Sequence, residues 1–319
     1  MLVLAGFELF WRARGFAPSV TNDAELWAVE RGRVARAGPD AVILVGSSRM
    51  QLGIDPEALS RAMGSGRPLQ LAIAQGPSIP ILADLAADPR VTGTIVCEIH
   101  PMVYFDSIHQ LAAVAAGHLR TRARFTLADE VERRLRTFSQ QVLVASLPDL
   151  SPARILRAIE RGAWPVPAAV RLDADRFGRS DSSRMDLSDG YRAQMRTQWL
   201  GWKGVPASPM EVAYSTAIVN RMVADVRARG GDVMFVRMPV DGDVREREER
   251  IVPRVKYWDR FAAGVDAVAI HYADHPELAH FELPDGSHLD QRDIADFSTA
   301  LGEVLVRERA KRSAAGGSR

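Results

Sequence analysis

A single cysteine stands in 319 residues, so neither an intrachain disulfide framework nor a cysteine-based zinc site is available. Cys97 falls inside the apolar run 94–99 and reads as a buried, inert thiol rather than a reactive one. Net charge is also nearly absent, because 41 basic and 40 acidic residues leave +1. With no global field, nucleic acid is not an expected partner, and any charged ligand must be recognised locally. The apolar start at residues 1–11 (MLVLAGFELFW) falls short of the about 20 residues a spanning helix needs. It also has neither the basic start nor the small-residue cleavage site of a secretory signal. Two readings fit it: an amphipathic helix packed on the body, or a membrane-proximal segment that anchors or lies on a bilayer. The chain is 47% hydrophobic and 25% charged, which is ordinary globular composition with apolar material for one large core.

Short β-branched runs punctuate the chain at residues 41–45 (AVILV), 69–74 (LQLAIA), 93–99 (GTIVCEI), 232–238 (DVMFVRM) and 265–271 (VDAVAIH). Each is too short for a typical helix and suits a strand buried on both faces. Helical stretches separate them. Residues 55–63 carry Asp55 as N-cap and Pro56 at the first helical position; 80–87 follow; 209–229 end at a Gly-Gly stop; 294–309 close the chain. Strands alternating with helices predict a parallel sheet covered on both faces, a three-layer α/β/α sandwich of flavodoxin-like type. Residues 106–208 break the alternation with arginine-rich helical stretches and a polar segment without a strand signal. They read as a largely helical insertion beside the edge where loops build sites. The expected organisation is an N-terminal helical or membrane-proximal segment at 1–38, an α/β domain at 39–310 and a flexible tail at 311–319.

Two elements at predicted strand ends carry chemistry. Gly46-Ser47-Ser48-Arg49 follows the first strand and opens a helix, where free backbone N–H groups can face an oxyanion. Read alone it is an ordinary serine cap. Leu283-Pro284-Asp285-Gly286-Ser287-His288 follows the last strand, and Asp285 and His288, three apart on a turn, can pair through one ring nitrogen. Read alone it is an Asp-Gly turn with a histidine beside it. Together, at matching strand ends, they point to a serine nucleophile, a histidine base and an orienting aspartate.

In this order and placement the motifs resemble the SGNH (GDSL-like) hydrolase superfamily, over most of the α/β core. The resemblance implies Ser48 as nucleophile, with Ser47 where the family often has aspartate, and Asp285 and His288 as its partners. Residues 71–76 (LAIAQG) look like the glycine block, so the Ser48 and Gly76 N–H groups are implied oxyanion donors. The family's third block usually brings an asparagine donor. Here the strand ends Glu98-Ile99-His100-Pro101, which leaves His100 to supply that donor or the hole to backbone alone. One such donor is typically worth about 3–4 kcal/mol of transition-state stabilisation. The Gly-Ser-Ser-Arg block looks most like the membrane-associated branch that acylates cell-envelope polymers. That implies an acyl ester or saccharide substrate and a location at the cell envelope, periplasmic or on the outer membrane face, with a cytoplasmic location as the alternative.

Arg49 and Arg237 both lie at strand ends near the expected site, either to hold an anionic substrate group or to pair with a local acid. His271, Asp274, His275 and His280 cluster before the last block, but their spacing fits no metal-ligand pattern and favours a solvated loop, so neither metal nor cofactor is expected. Trp199 and Trp202 could stack on sugar rings or pack the insertion onto the body. The arginine run 120–136, with acids interleaved, reads mainly as a solvated helix face with local ion pairs. The expected activity is acyl transfer through an acyl-serine, to water in an esterase or to a sugar hydroxyl in an O-acyltransferase. A non-catalytic scaffold of the same fold, binding an envelope polysaccharide or assembly partner, is the competing reading. A nucleotide binder is disfavoured, because no glycine-rich phosphate loop follows the first strand.

Overall fold

The computed structural model describes residues 2–107, 109, 111–162, 164–185, 197, 201 and 204–316. Five parallel strands form the central sheet: β1 (Val42–Val45), β2 (Leu69–Gln70), β3 (Thr94–Glu98) and, after the two short strands β4 (Val170–Leu172) and β5 (Gly178–Ser180), β6 (Asp232–Arg237) and β7 (Val268–His271). The helices in chain order are α1 (Leu2–Ala13), α2 (Ala24–Val34), α3 (Ser48–Leu52), α4 (Pro56–Met63), α5 (Ile79–Ala87), α6 (Pro101–Tyr104), α7 (Ala112–Arg124), α8 (Leu127–Val142) and α9 (Pro152–Glu160). They continue with α10 (Ser182–Met185), α11 (Pro209–Arg227), α12 (Gly242–Ile251), α13 (Trp258–Gly264), α14 (Pro276–Ala279) and α15 (Ile294–Gly316).

The sheet order is β2-β1-β3-β6-β7, all parallel, which is the flavodoxin-like order with its reversal between β1 and β3. Alternate side chains explain both faces. Ile43, Val45, Ile95, Cys97 and Phe235 point to one side, packed by α2, α5, α11 and α13. Val42, Leu44, Val96 and Met234 point to the other, packed by α4 and α15. Cys97 is fully buried, and burial pushes its thiol up to about 12, so it is inert at neutral pH.

The structure moves several sequence expectations. The β2 ladder is shorter than residues 69–74, although Leu71 and Ile73 still donate to Leu44 and Gly46 carbonyls. On the outer edge of this strand Arg176 donates to the carbonyls of Gln70 and Ala72, at 2.7 Å each, so side-chain bonds stand where a neighbouring strand would pair. The insertion contains the antiparallel hairpin β4–β5, whose three-residue strands are too short to show a period of two. Within residues 1–38, α2 caps the sheet face through Trp27, whose indole N–H donates to Leu71 O at 3.0 Å. The first of the arginine-rich helical stretches of the insertion are α7 and α8. Arg134 and Arg136 make the expected pairs with Glu130 and Glu132, but Arg133 is buried against Asp23, Thr21 and Thr137. The last helix runs to Gly316, beyond the expected start of the tail.

Helix α1 packs through Trp11 onto Phe16, Val144 and Leu150, and Glu8 accepts from the N–H groups of Val144 and Ala145. Its outer side leaves Leu2, Val3 and Leu9 exposed. No described helix is long and apolar enough to cross a membrane.

Candidate active site

Parallel sheets collect ligands at the carboxyl ends of their strands, where the order reverses. Here that crevice lies between β1 and β3. After β1 the chain turns through Gly46 into α3. A Cβ on Gly46 would stand 2.5 Å from Glu98 Oε2 and 2.7 Å from Met50 Cβ, so only glycine allows the turn to pass β3. Glu98, at the end of β3, accepts from Ser47 N–H at 2.7 Å and from Ser47 Oγ at 2.9 Å. Ser47 in turn caps α3 by accepting from Arg49 N–H. The two adjacent serines are thereby sorted. Ser47 is a structural cap turned to Glu98, and Ser48, the first residue of the helix, faces the histidine loop.

Ser48 Oγ and His288 Nε2 are 2.8 Å apart, and His288 Nδ1 and Asp285 Oδ2 are 2.7 Å apart. The other carboxylate oxygen of Asp285 accepts from the N–H groups of Ser287 and His288, at 2.9 and 2.7 Å. Burial by itself would raise the Asp285 pKa, but the charge and hydrogen bonds of His288, with these backbone donors, hold it at about 2. It is therefore an ionised acceptor at neutral pH, able to fix the ring with its proton on Nδ1 and leave Nε2 to Ser48. The loop depends on Gly286, whose φ is +79° and whose carbonyl accepts from Asp241 N–H.

The oxyanion donors differ from the expectation in one respect. As the first residue of α3, Ser48 has an N–H with no helical carbonyl to bond. Gly76 N–H, by contrast, donates to Ile73 O at 2.8 Å and closes a turn that places Gln75 at φ +58°. The Gly76 amide is thus engaged within its own turn. His100 caps the start of α6, buried at the end of β3. Burial, then Arg49 and Arg237 nearby, keep its pKa well below 6.5, so the ring is neutral.

Arg49 and Arg237 are buried and turned to Glu248 of α12 rather than set out to meet an anion. Arg49 reaches Glu248 Oε1 at 2.7 Å, and Arg237 pairs with Oε2 of the same carboxylate. Burial by itself would raise the Glu248 pKa; Arg237 and Arg49 hold it at about 2. Glu98, Glu248 and Arg176 were not singled out in the sequence, where each is one charged residue among many.

The histidine cluster does not converge. His271 Nδ1 accepts from Ala273 N–H, Asp274 pairs with Arg254, and His275 and His280 contact Arg307 and Pro276 O respectively. Among the described residues no group of three metal-ligating side chains comes together. Trp199 and Trp202 lie outside the described residues. Compared with known proteins, the chain matches no family model and no curated protein.

Proposed function

We propose that the chain is a serine-dependent esterase or O-acyltransferase of SGNH-like type, working through an acyl-serine at Ser48. The observation that carries the reading is the continuous bond path Ser48–His288–Asp285, at 2.8 and 2.7 Å. In the first half-reaction His288 Nε2 takes the Ser48 proton as Oγ bonds to the ester carbonyl carbon. The carbonyl oxygen becomes an oxyanion, held by Ser48 N–H and by a ring N–H of neutral His100. Collapse breaks the ester C–O bond, and the leaving alkoxide takes the proton from His288. Water or a sugar hydroxyl then repeats the sequence on the acyl-serine, returning Ser48 and releasing an acid or a new ester. Asp285 stays ionised throughout and stabilises the imidazolium. No cofactor enters these steps.

The same reading extends to place. The exposed Leu2, Val3 and Leu9 of α1, with the exposed stripe Leu127, Val131, Leu135 and Phe138 on α8, suit a protein lying against a membrane at the cell envelope. An envelope saccharide would then be the acceptor.

The engaged Gly76 amide and the missing asparagine favour one competitor, a non-catalytic scaffold that binds a saccharide or assembly partner. The two readings separate on Ser48→Ala. A serine hydrolase loses turnover of an activated acyl ester, and loses labelling by a fluorophosphonate, while its circular dichroism is unchanged. Turnover that survives the substitution refutes Ser48 as nucleophile, and wild-type protein that neither turns over nor labels is the scaffold.

A further inference from the structure

A cavity of about 310 Å³ opens beside the serine block, with Ser47, Gly76 and His100 in its wall. Ser47 and His100 directly follow β1 and β3, and Gly76 lies in the turn beyond β2, so the cavity adjoins the residue before Ser48, near where an acyl carbonyl on Ser48 would sit. Away from them its wall turns apolar: Ile79 at the start of α5, Val103 and Tyr104 on α6, Leu111 ahead of α7, and Ile218 on α11. The acids that reach it are committed elsewhere. Glu98 is held by Ser47, and Asp106 accepts from Val205 N–H at 3.0 Å. Ser78, His109 and Ser215 also reach it, but most of the exposed wall is apolar, and there a hydrocarbon chain needs no polar partner.

From this placement we infer that the cavity is the acyl-chain pocket of the site, and that the acyl group is a medium-length aliphatic chain of roughly six to ten carbons. The inference rests on the proposed acyl-serine chemistry for its orientation, carbonyl toward Ser48 and methyl end toward Ile218. Size sets the range, since an apolar cavity of about 150 Å³ accepts a benzene ring. Twice that volume therefore holds about twice as many carbons, less the part taken by the carbonyl. An acetyl group would leave most of the apolar wall without a partner.

The test compares p-nitrophenyl esters from acetyl to palmitoyl on the purified chain, and titrates octanoate and acetate into S48A by calorimetry. Each buried methylene is worth about fourfold in kcat/KM, so the octanoyl ester is expected to exceed the acetyl ester at least a hundredfold, with a decline beyond about ten carbons. Octanoate is expected to bind S48A under conditions where acetate does not. Ile218→Trp fills the far end of the pocket and is expected to lower octanoyl turnover at least tenfold more than acetyl turnover. Ala112→Phe, at the start of α7 in the same wall, does the same if the first variant misfolds. Ser48-dependent turnover that is highest on acetyl, with no octanoate binding, overturns the pocket and leaves the esterase standing. An octanoyl preference untouched by both substitutions overturns it too. Octanoate binding that Ile218→Trp abolishes, without any Ser48-dependent turnover, supports the pocket and overturns the chemistry instead.

Discussion

Arg49, the residue after Ser48, donates its Nε–H to the hydroxyl of Ser287, the residue before His288, at 2.9 Å. The two halves of the site lie more than two hundred positions apart in the chain and are joined by this side chain as well as by the Ser48–His288 bond. Its other end is fixed by Glu248, which also pairs with Arg237, so helix α3, strand β6, helix α12 and the histidine loop share one buried charge network.

That network makes a ranking of variants. Glu248→Gln removes the carboxylate that two buried guanidinium groups share and is expected to cost about 3–5 kcal/mol. Arg49→Met leaves Glu248 paired with Arg237 and is expected to cost less, while lowering kcat more than it raises KM as the Ser48–His288 alignment loosens. Urea unfolding and ester kinetics on both variants measure this; equal stability losses, or an Arg49 effect confined to KM, contradict the network.

His100 offers a second measurement. On the proposed reading it donates to the oxyanion in place of asparagine, so its loss in His100→Ala is expected to lower kcat about a hundredfold with little change in KM. His100→Asn restores a side-chain N–H and is expected to recover most of that loss without moving the pH profile. An alanine variant with unchanged kcat removes His100 from the oxyanion hole.

Acid should weaken the fold before it reaches the carboxylates. Burial first, then Arg237 and Arg254, bring the His271 pKa down to about 3, and His100 is lowered in the same direction. Below about pH 6.5 each is neutral when folded and protonated when unfolded. The unfolded chain therefore binds more protons, and stability falls as pH drops from about 6.5 toward the folded values, by about 1.4 kcal/mol per pH unit for each histidine. Asp285 and Glu248, with depressed values, add stability that is complete above their unfolded range near pH 4 and is lost only as pH falls toward about 2. His271→Asn keeps an acceptor for Ala273 N–H and is expected to remove one proton's worth of slope between pH 6.5 and 4.5. An unchanged slope in denaturant titrations across that range would falsify the assignment.

Gly286→Ala tests the loop. At φ +79° an alanine is strained, and its Cβ would lie 2.9 Å from Val244 Cγ2 and 3.1 Å from Asp241 O. A stability loss of about 1–3 kcal/mol is expected, together with a drop in kcat because Asp285 and His288 flank the displaced residue. Retained kcat at reduced stability means the loop geometry tolerates more movement than the hydrogen bonds imply.

Membrane contact is measured by vesicle co-sedimentation. Replacing Leu2, Val3 and Leu9 together by aspartate is expected to lower the bound fraction at least tenfold, with ester turnover in solution preserved. Equal binding of the variant places the contact away from α1.

What could be seen from the chain alone follows the range of each interaction. The five β-branched runs announce strands locally, and Asp55 caps α4 as its position ahead of Pro56 suggests. The grouping of Ser48, Asp285 and His288 was legible because Ser48 follows the first strand and the Asp-His block falls between the last strand and the last helix, in a recognisable order. The engaged amide of Gly76 was not, since it depends on a turn with Gln75 in a left-handed conformation that glutamine rarely adopts. Nor were the partners of Arg49 and Arg237, because Glu248 meets them only after α12 folds back over the strand ends. Arg176 stayed hidden for the same reason, its partners Gln70 and Ala72 lying about a hundred positions earlier in the chain, and the hairpin because its strands are only three residues long.

Arg176 also bears on what can be removed from this protein. Its fully buried guanidinium, its pKa drawn down by burial to about 10, occupies the carbonyls of the last strand on that side. Cutting away the insertion to reach a minimal catalytic core would strip that cover and leave a bare strand able to template pairing between molecules. The trimmed protein would then be expected to self-associate through its sheet.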